Sequence, residues 1–148
     1  MTYHHLLVPT DGSELSDRAV DQAVALAAAL GARLRVLHVQ VSFPISLVGV
    51  GELVEPNTVD ALVAATQQRG EAILGAAMVK AEQAGVVADQ SLLVNPQPHL
   101  AILEEARARG CDLIVMASHG RRGLEGLLIG SETQRVLTQS SCPVLVVR

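Results

Sequence analysis

The sequence predicts an α/β fold, a parallel β-sheet with helices on both faces. Three observations carry this expectation. Short apolar runs of strand length alternate along the chain with segments whose apolar residues recur at three- and four-residue spacing. The connections are mostly short, and no repeat or low-complexity tract interrupts the alternation, the pattern of strands joined by crossover helices. At 148 residues the chain has the size of one domain, 1–148, and its 49% apolar content supplies a core that must be built from Val, Leu, Ile and Ala, because aromatics make up only 1%.

The first strand is Leu6-Leu7-Val8, ended by Pro9-Thr10-Asp11-Gly12-Ser13. A helix follows with Val20, Ala23, Val24, Ala27 and Leu30 on one face and Gly31 as its stop. Arg33 to Val41 reads as the second strand, with Leu34, Val36, Leu37 and Val39 for the core and a wet beginning at Arg33 and Arg35. Ser42 to Asn57 is a Gly/Pro-punctuated loop whose middle, Ile45 to Val50, is apolar; it either folds over a pocket or a partner, or tucks its own valines onto the body. A long helix is predicted from Thr58 to Ala84, closed by Gly85, in which Gly70 and Gly75 each weaken the helix by roughly 1 kcal/mol unless they mark close packing. Val86 to Val94 is the third strand, and Asn95-Pro96-Gln97-Pro98 breaks the chain before a helix from His99 to Arg109. Asp112 to Met116 is the fourth strand, Ser131 to Ser140 the last helix, and Val144 to Val147 the fifth strand.

Composition excludes several functions. The net charge is −4 and no long basic run occurs, so a nucleic-acid partner is not expected. With only Tyr3 and Phe43 as aromatics, base stacking is not available either. Lys80 is the single lysine and lies in no glycine loop, which removes the G-x-x-x-x-G-K-[ST] phosphate loop. No apolar stretch is long enough to span a bilayer, and Met1 to His5 shows no charged leader before an apolar signal core; a cytoplasmic protein with no membrane partner is expected. Cys111 and Cys142 each precede a strand without a short-spaced partner, and read as small buried hydrophobes rather than metal ligands. His4, His5 and His38 lack metal-ligand spacing and read as structural.

In doubly wound parallel sheets ligands bind beyond the carboxyl ends of the strands, where the strand order reverses. The loops after the first and fourth strands meet there. The second of these, Met116-Ala117-Ser118-His119-Gly120-Arg121-Arg122-Gly123, leads from the apolar Leu113-Ile114-Val115 toward Gly130-Ser131 and a helix. Glycines let main-chain N–H groups approach an anion, and a helix N-terminus adds partial positive charge, so this is a physical recipe for holding phosphate. Arg121 and Arg122 supply side-chain charge or merely solvate the loop. Ser131, three residues before Gln134, is expected to cap the helix through its hydroxyl. Asp11 could accept hydrogen bonds from an adenine amine or a ribose hydroxyl, but Thr10-Asp11-Gly12-Ser13 is also good turn chemistry, which is favoured because it needs no ligand, and the two readings are compatible. A Ser118-His119 hydrolase is not expected, because adjacent side chains on an extended segment point apart and no G-x-S-x-G elbow is present.

Together these segments resemble the universal stress protein family. The likeness is carried by Leu7 to Ser13, by Leu37-His38-Val39, by Met116 to Gly123, and by Gly130-Ser131 through Pro143-Val144-Leu145-Val146-Val147. The resemblance implies a Rossmann-like five-stranded parallel sheet in the order 3-2-1-4-5 and a homodimer formed by antiparallel pairing of the last strands, Val144 to Val147. Nucleotide-binding members carry Gly, two residues, Gly, nine residues, Gly and then Ser or Thr; Gly120, Gly130 and Ser131 match, while Ala117 replaces the first glycine. An added methyl there is expected to weaken nucleotide binding, not abolish it. By resemblance Pro9, Thr10, Asp11 and Val39 line the adenine and ribose side. Gly120, Gly130 and Ser131 hold the phosphates, with Ala117, His119, Arg121, Arg122, Gly123 and Glu132 around them, and Mg2+ or Mn2+ accompanies the ligand.

The expected function is a stress-response or signalling dimer that binds ATP, AMP or a related adenine nucleotide and meets an unidentified protein partner. Catalysis is not expected beyond slow ATP hydrolysis, as His119 and Glu132 are the only nearby candidates for a base. The alternative is a dimerisation and interaction module of the same fold that binds no nucleotide.

Overall fold

The structure, a computed structural model, describes residues 2–41, 56–120 and 129–148. Its elements run β1 (His5–Pro9), α1 (Glu14–Leu30), β2 (Arg33–Gln40), α2 (Pro56–Gln83), β3 (Ala88–Val94), α3 (Pro98–Ala108), β4 (Leu113–Ala117), α4 (Ser131–Gln139) and β5 (Val144–Val147). The five strands form one parallel sheet in the order β3-β2-β1-β4-β5, as expected from the sequence. The helix predicted from Thr58 starts two residues earlier, at Pro56. The loop with Ile45 to Val50 lies outside the described residues. Among the described residues, no helix is long and apolar enough to cross a membrane.

The period-two alternation of each strand divides the core into two layers. Leu6 and Val8 of β1, Leu34 and Val36 of β2, and Leu113, Val115 and Ala117 of β4 face α1 and α2, where they meet Ala19, Val20, Ala23, Leu74 and Ala77. Leu7, Leu37, Ile114 and Met116 face the other way, toward Ile102 and Ala106 of α3 and Val136 of α4. Each fully buried Leu, Ile or Val contributes about 1.5–3 kcal/mol, so among the described residues the core needs no fully buried aromatic, and Tyr3 only packs against its first layer, partly buried. Cys111 sits in the second layer as the small buried hydrophobe expected, and burial pushes its thiol up to about 11; Cys142 packs against the same layer but is only half-buried.

Two sequence expectations need correction. The start of β2 is not uniformly wet: Arg33 is exposed, but the Arg35 side chain is only 10% exposed. On β2 it shares a face with Leu37, and its guanidinium is held by the Gln90 carbonyl, the Ser91 hydroxyl and Glu105, partners that arrive from β3 and α3. The fourth strand begins at Leu113, not Asp112, because the Asp112 carboxylate instead accepts the main-chain N–H groups of His4 (2.8 Å) and His5 (3.0 Å) at the start of β1.

The two glycines of α2 prove to be unlike. A Cβ on Gly70 would lie 2.7 Å from Leu92 Cδ1, 2.9 Å from His38 Cδ2 and 3.0 Å from Gln40 Nε2, so close packing is the reason for that glycine. A Cβ on Gly75 would meet nothing within 4 Å. Gly75→Ala is therefore expected to stabilise by about 0.5–1 kcal/mol through helix propensity alone. Gly70→Ala is expected to destabilise by about 1–2 kcal/mol, overpacking outweighing the propensity gain. Urea melts of the two variants measure the opposite signs, and the same sign for both would overturn this account.

Candidate functional site

The chain runs outward from β1 to β2 and β3, then crosses back to β4 on the other side of β1, so the order reverses between β1 and β4. The carboxyl ends of these two strands open into the loops singled out in the sequence, at the place where doubly wound folds bind ligands.

The first loop is a tightly bonded turn. Asp11 Oδ1 accepts the N–H of Ser13 at 2.9 Å, Gly12 takes φ +79°, and the Ser13 hydroxyl accepts the Ser16 N–H to cap α1. Thr10 is buried; its N–H donates to the Leu37 carbonyl, its hydroxyl pairs with Ser16, and its carbonyl accepts from His38 Nδ1 at 2.8 Å. The turn reading of Asp11 therefore holds, and His38 is structural in the sense expected, fixing Thr10 from the neighbouring strand. Pro9 and Val39 are half-buried at the carboxyl ends of β1 and β2.

The second loop leaves β4 after Ala117. Ala117 pairs with Val147, has no positive φ, and belongs to the core layer facing α1. Its methyl thus lies in the core, on the face opposite α4. Ser118 is buried, its N–H donating to the Val147 carbonyl and its own carbonyl accepting the Gly130 N–H at 2.6 Å. The Ser118 and His119 side chains do not point apart: Ser118 Oγ lies 3.2 Å from His119 Nδ1. Strand alternation fails there because both residues lie beyond the end of β4, where the chain bends. The hydroxyl is nonetheless enclosed in the fold and is not a displayed nucleophile. Arg121, Arg122 and Gly123 lie outside the described residues.

Gly120 and Gly130 are tight for different reasons. A Cβ on Gly120 would stand 2.6 Å from Asp11 Oδ2, so Gly120 brings the second loop directly against the first. A Cβ on Gly130 would stand 3.0 Å and 3.1 Å from His119 Cβ and Cα. Gly130, not Ser131, is the N-cap of α4, and among the described residues no side chain caps that helix. The Gly130 N–H is already drawn to the Ser118 carbonyl, which leaves Gly130 extended (φ −70°, ψ 159°) and makes Ser131 the first helical residue. The expected capping box with Gln134 is not formed; Gln134 N–H instead donates to the Gly130 carbonyl. Among the described residues, the first-turn N–H groups of α4 therefore have neither an intrahelical acceptor nor a side-chain cap. Thr133 Oγ1 donates to the Ala117 carbonyl at 2.9 Å and pins this turn to β4.

The Glu132 carboxylate is engaged by α3 and by its own helix. Its Oε2 accepts from the main-chain N–H (2.7 Å) and the ring Nδ1–H (2.9 Å) of His99, and its Oε1 accepts from Arg135 at 2.6 Å. Burial pushes the Glu132 carboxyl up, but these donors outweigh it and hold the group below its ordinary value. Asp112 behaves likewise: burial raises it, and the His5 and His4 N–H groups bring it below its ordinary value. Both carboxylates thus favour the folded state above the ordinary carboxylate pKa, and that contribution fades as pH falls through their lowered native values. Stability is expected to drop steeply below about pH 4. Thermal melts from neutral to acid pH will measure it, and Asp112→Asn should flatten the slope.

His99 was not foreseen as part of this region. Its one sequence signal is a helix beginning Gln97-Pro98 with no Ser, Thr, Asp or Asn to cap it, which calls for an acceptor from elsewhere in the fold. Among the described residues, no group of three or more His, Cys, Asp and Glu is arranged to hold a metal ion.

The model of the universal stress protein family matches residues 2–148. The chain belongs to that family. This universal stress protein is 37% identical to universal stress protein YxiE of Bacillus subtilis, over 99% of each chain. Among solved structures, the universal stress protein UspA from Lactobacillus plantarum has the same fold, with a TM-score of 0.81, 22% identity and coverage of 100% of this chain and 99% of that one. A universal stress protein in complex with cAMP superposes with a TM-score of 0.70 at 30% identity, over 100% of this chain and 98% of that one.

Proposed function

We propose that this universal stress protein binds an adenine nucleotide in the crevice between the carboxyl ends of β1 and β4, and does so as a homodimer paired through β5. The observation that carries the reading is the first turn of α4, which no side chain caps among the described residues, opening beside Gly130, with Gly120 pressed against the Asp11 turn. Main-chain N–H groups at a helix N-terminus suit phosphate, and a carboxylate across the crevice suits the ribose or adenine donors of the same ligand. The cAMP complex of a 30%-identical relative supports an adenine nucleotide as the ligand class. Ala117 is compatible with this, since its methyl packs in the α1-side layer and its backbone is ordinary strand.

Mg2+ or Mn2+ would enter with the phosphates, because no preformed cluster of protein ligands is present among the described residues. Binding rather than turnover is the proposed role: Ser118 is buried and both Glu132 oxygens are already taken. Leu145 on the edge strand β5 is 42% exposed, a liability that pairing with a second copy would remove. The single 1–148 domain, a cytoplasmic location and an unidentified protein partner complete the reading.

Calorimetry of the nucleotide-stripped full chain with AMP and with MgATP should give saturable heat at one nucleotide per chain, and light scattering should give twice the chain mass. No heat at millimolar nucleotide would overturn the proposal in favour of an interaction module that dimerises without a ligand.

A further inference from the structure

The N-terminus of α3 is capped by a residue of α4. Gln97, its N-cap, makes no side-chain cap bond, and Pro98 has no N–H, so the first donor of α3 is the His99 N–H. That N–H and the His99 ring both converge on one oxygen of Glu132, the second residue of α4. The His99 side chain is 8% exposed, so the contact is shielded from water, where charge-assisted hydrogen bonds are strongest. Arg135, one turn along α4, takes the other carboxylate oxygen.

This placement bears on the phosphate end of the site. The first turn of α4 is held to β4 by Thr133 on the Ala117 carbonyl and by Gly130 on the Ser118 carbonyl. Among the described residues the Glu132 carboxylate is a third tether, and it reaches sideways, to α3. Helix ends fray unless tied, and the N–H groups that would meet phosphate belong to this same turn. An acidic residue at that position would oppose an anion, yet here Arg135 lies against the carboxylate and His99 turns it toward α3.

Building on the nucleotide-binding reading, we infer that His99 and Glu132 are a positioning pair for phosphate recognition. They hold the first turn of α4 in register with Gly120 and Gly130 without touching the nucleotide themselves. The Asp11 turn, on the far side of the crevice, is independent of them, so adenosine recognition should not depend on the pair.

The test compares dissociation constants of adenosine and AMP for the full chain. Glu132→Ala is expected to lower the AMP-over-adenosine preference about tenfold, the lower end of what loss of an outer-shell partner costs at metal sites. His99→Ala, which keeps the main-chain N–H bond, should lower it less. Glu132→Gln and His99→Asn retain an acceptor and a donor at these positions and should restore a preference close to that of the unaltered chain. The inference is overturned if Glu132→Ala weakens AMP and adenosine in equal proportion, or if the preference does not change. Should Glu132→Ala not fold, His99→Ala decides in the same way. An unaltered chain that binds no AMP would remove the nucleotide reading itself, a failure visible before any variant is made.

Discussion

Glu105→Ala is expected to lower stability by about 3–5 kcal/mol, because it strands a buried arginine. The Arg35 side chain is 10% exposed and lies between β2 and α3. Its Nε, 3.9 Å from Glu105 Oε1, has no hydrogen-bond partner, and its NH1 reaches the Gln90 carbonyl at 3.2 Å and Ser91 Oγ at 3.3 Å. Glu105, 8% exposed at its side chain, gathers this network: it accepts from Ser91 Oγ at 2.6 Å and from Arg109 Nε at 3.2 Å. With Glu105 gone, the remaining carboxylate is the half-exposed Asp89 at 3.8 Å, which water screens. Removing one member of a buried pair leaves the desolvation penalty of the other uncompensated, whereas replacing both by apolar groups can be nearly neutral. The melting temperature of Glu105→Ala should therefore fall by about 10 °C. The double variant Arg35→Met with Glu105→Leu should recover most of the loss. A single variant within about 1 kcal/mol of the unaltered chain would show that water solvates Arg35 after all. Because the network clamps α3 to the sheet, it also supports the helix that carries His99.

The order of elements was legible because each strand carries its own apolar run and each helix its own periodicity, both local properties. Arg35 was misread for the opposite reason. Charges at Arg33 and Arg35 look alike in sequence, and only the arrival of Ser91 and Glu105, more than fifty residues later, makes one of them a buried ion and leaves the other in water. The α2 glycines make the same point. Gly70 and Gly75 are indistinguishable along the chain, and the difference is that β2 and β3 side chains crowd one of them.

At the site, the Thr10-Asp11-Gly12-Ser13 turn was legible in full, since an Asx turn and an N-cap are made by residues within three of each other. The start of α4 was not. Whether Gly130 or Ser131 caps that helix depends on where the Gly130 N–H goes, and it goes to Ser118, across the connection from β4. That the Glu132 carboxylate caps α3 could not be read from the chain either, because its partner His99 comes from another helix 33 positions away.

Gly120→Ala is expected to lower nucleotide affinity about 10- to 100-fold, equivalent to about 1.4–2.7 kcal/mol, while changing folding stability by less than about 1 kcal/mol. The new methyl would stand 2.6 Å from Asp11 Oδ2, well inside van der Waals contact. Asp11 has little room to give: its side chain is short, and Oδ1 already accepts the Ser13 N–H that shapes the turn into α1. Either the second loop moves outward or the Asp11 carboxylate rotates and surrenders that bond. Both responses widen the gap between the two loops that a nucleotide would have to bridge, and neither disturbs the two core layers, since Gly120 is exposed. Gly130→Ala is the control. Its methyl needs only a few tenths of an ångström from His119, and Gly130 already has φ −70°, which alanine accepts without strain. A smaller loss is therefore expected there. Calorimetry with AMP, beside thermal melts of both variants, separates the outcomes. Unchanged affinity in Gly120→Ala would mean that the contact between the loops is not where the nucleotide is held.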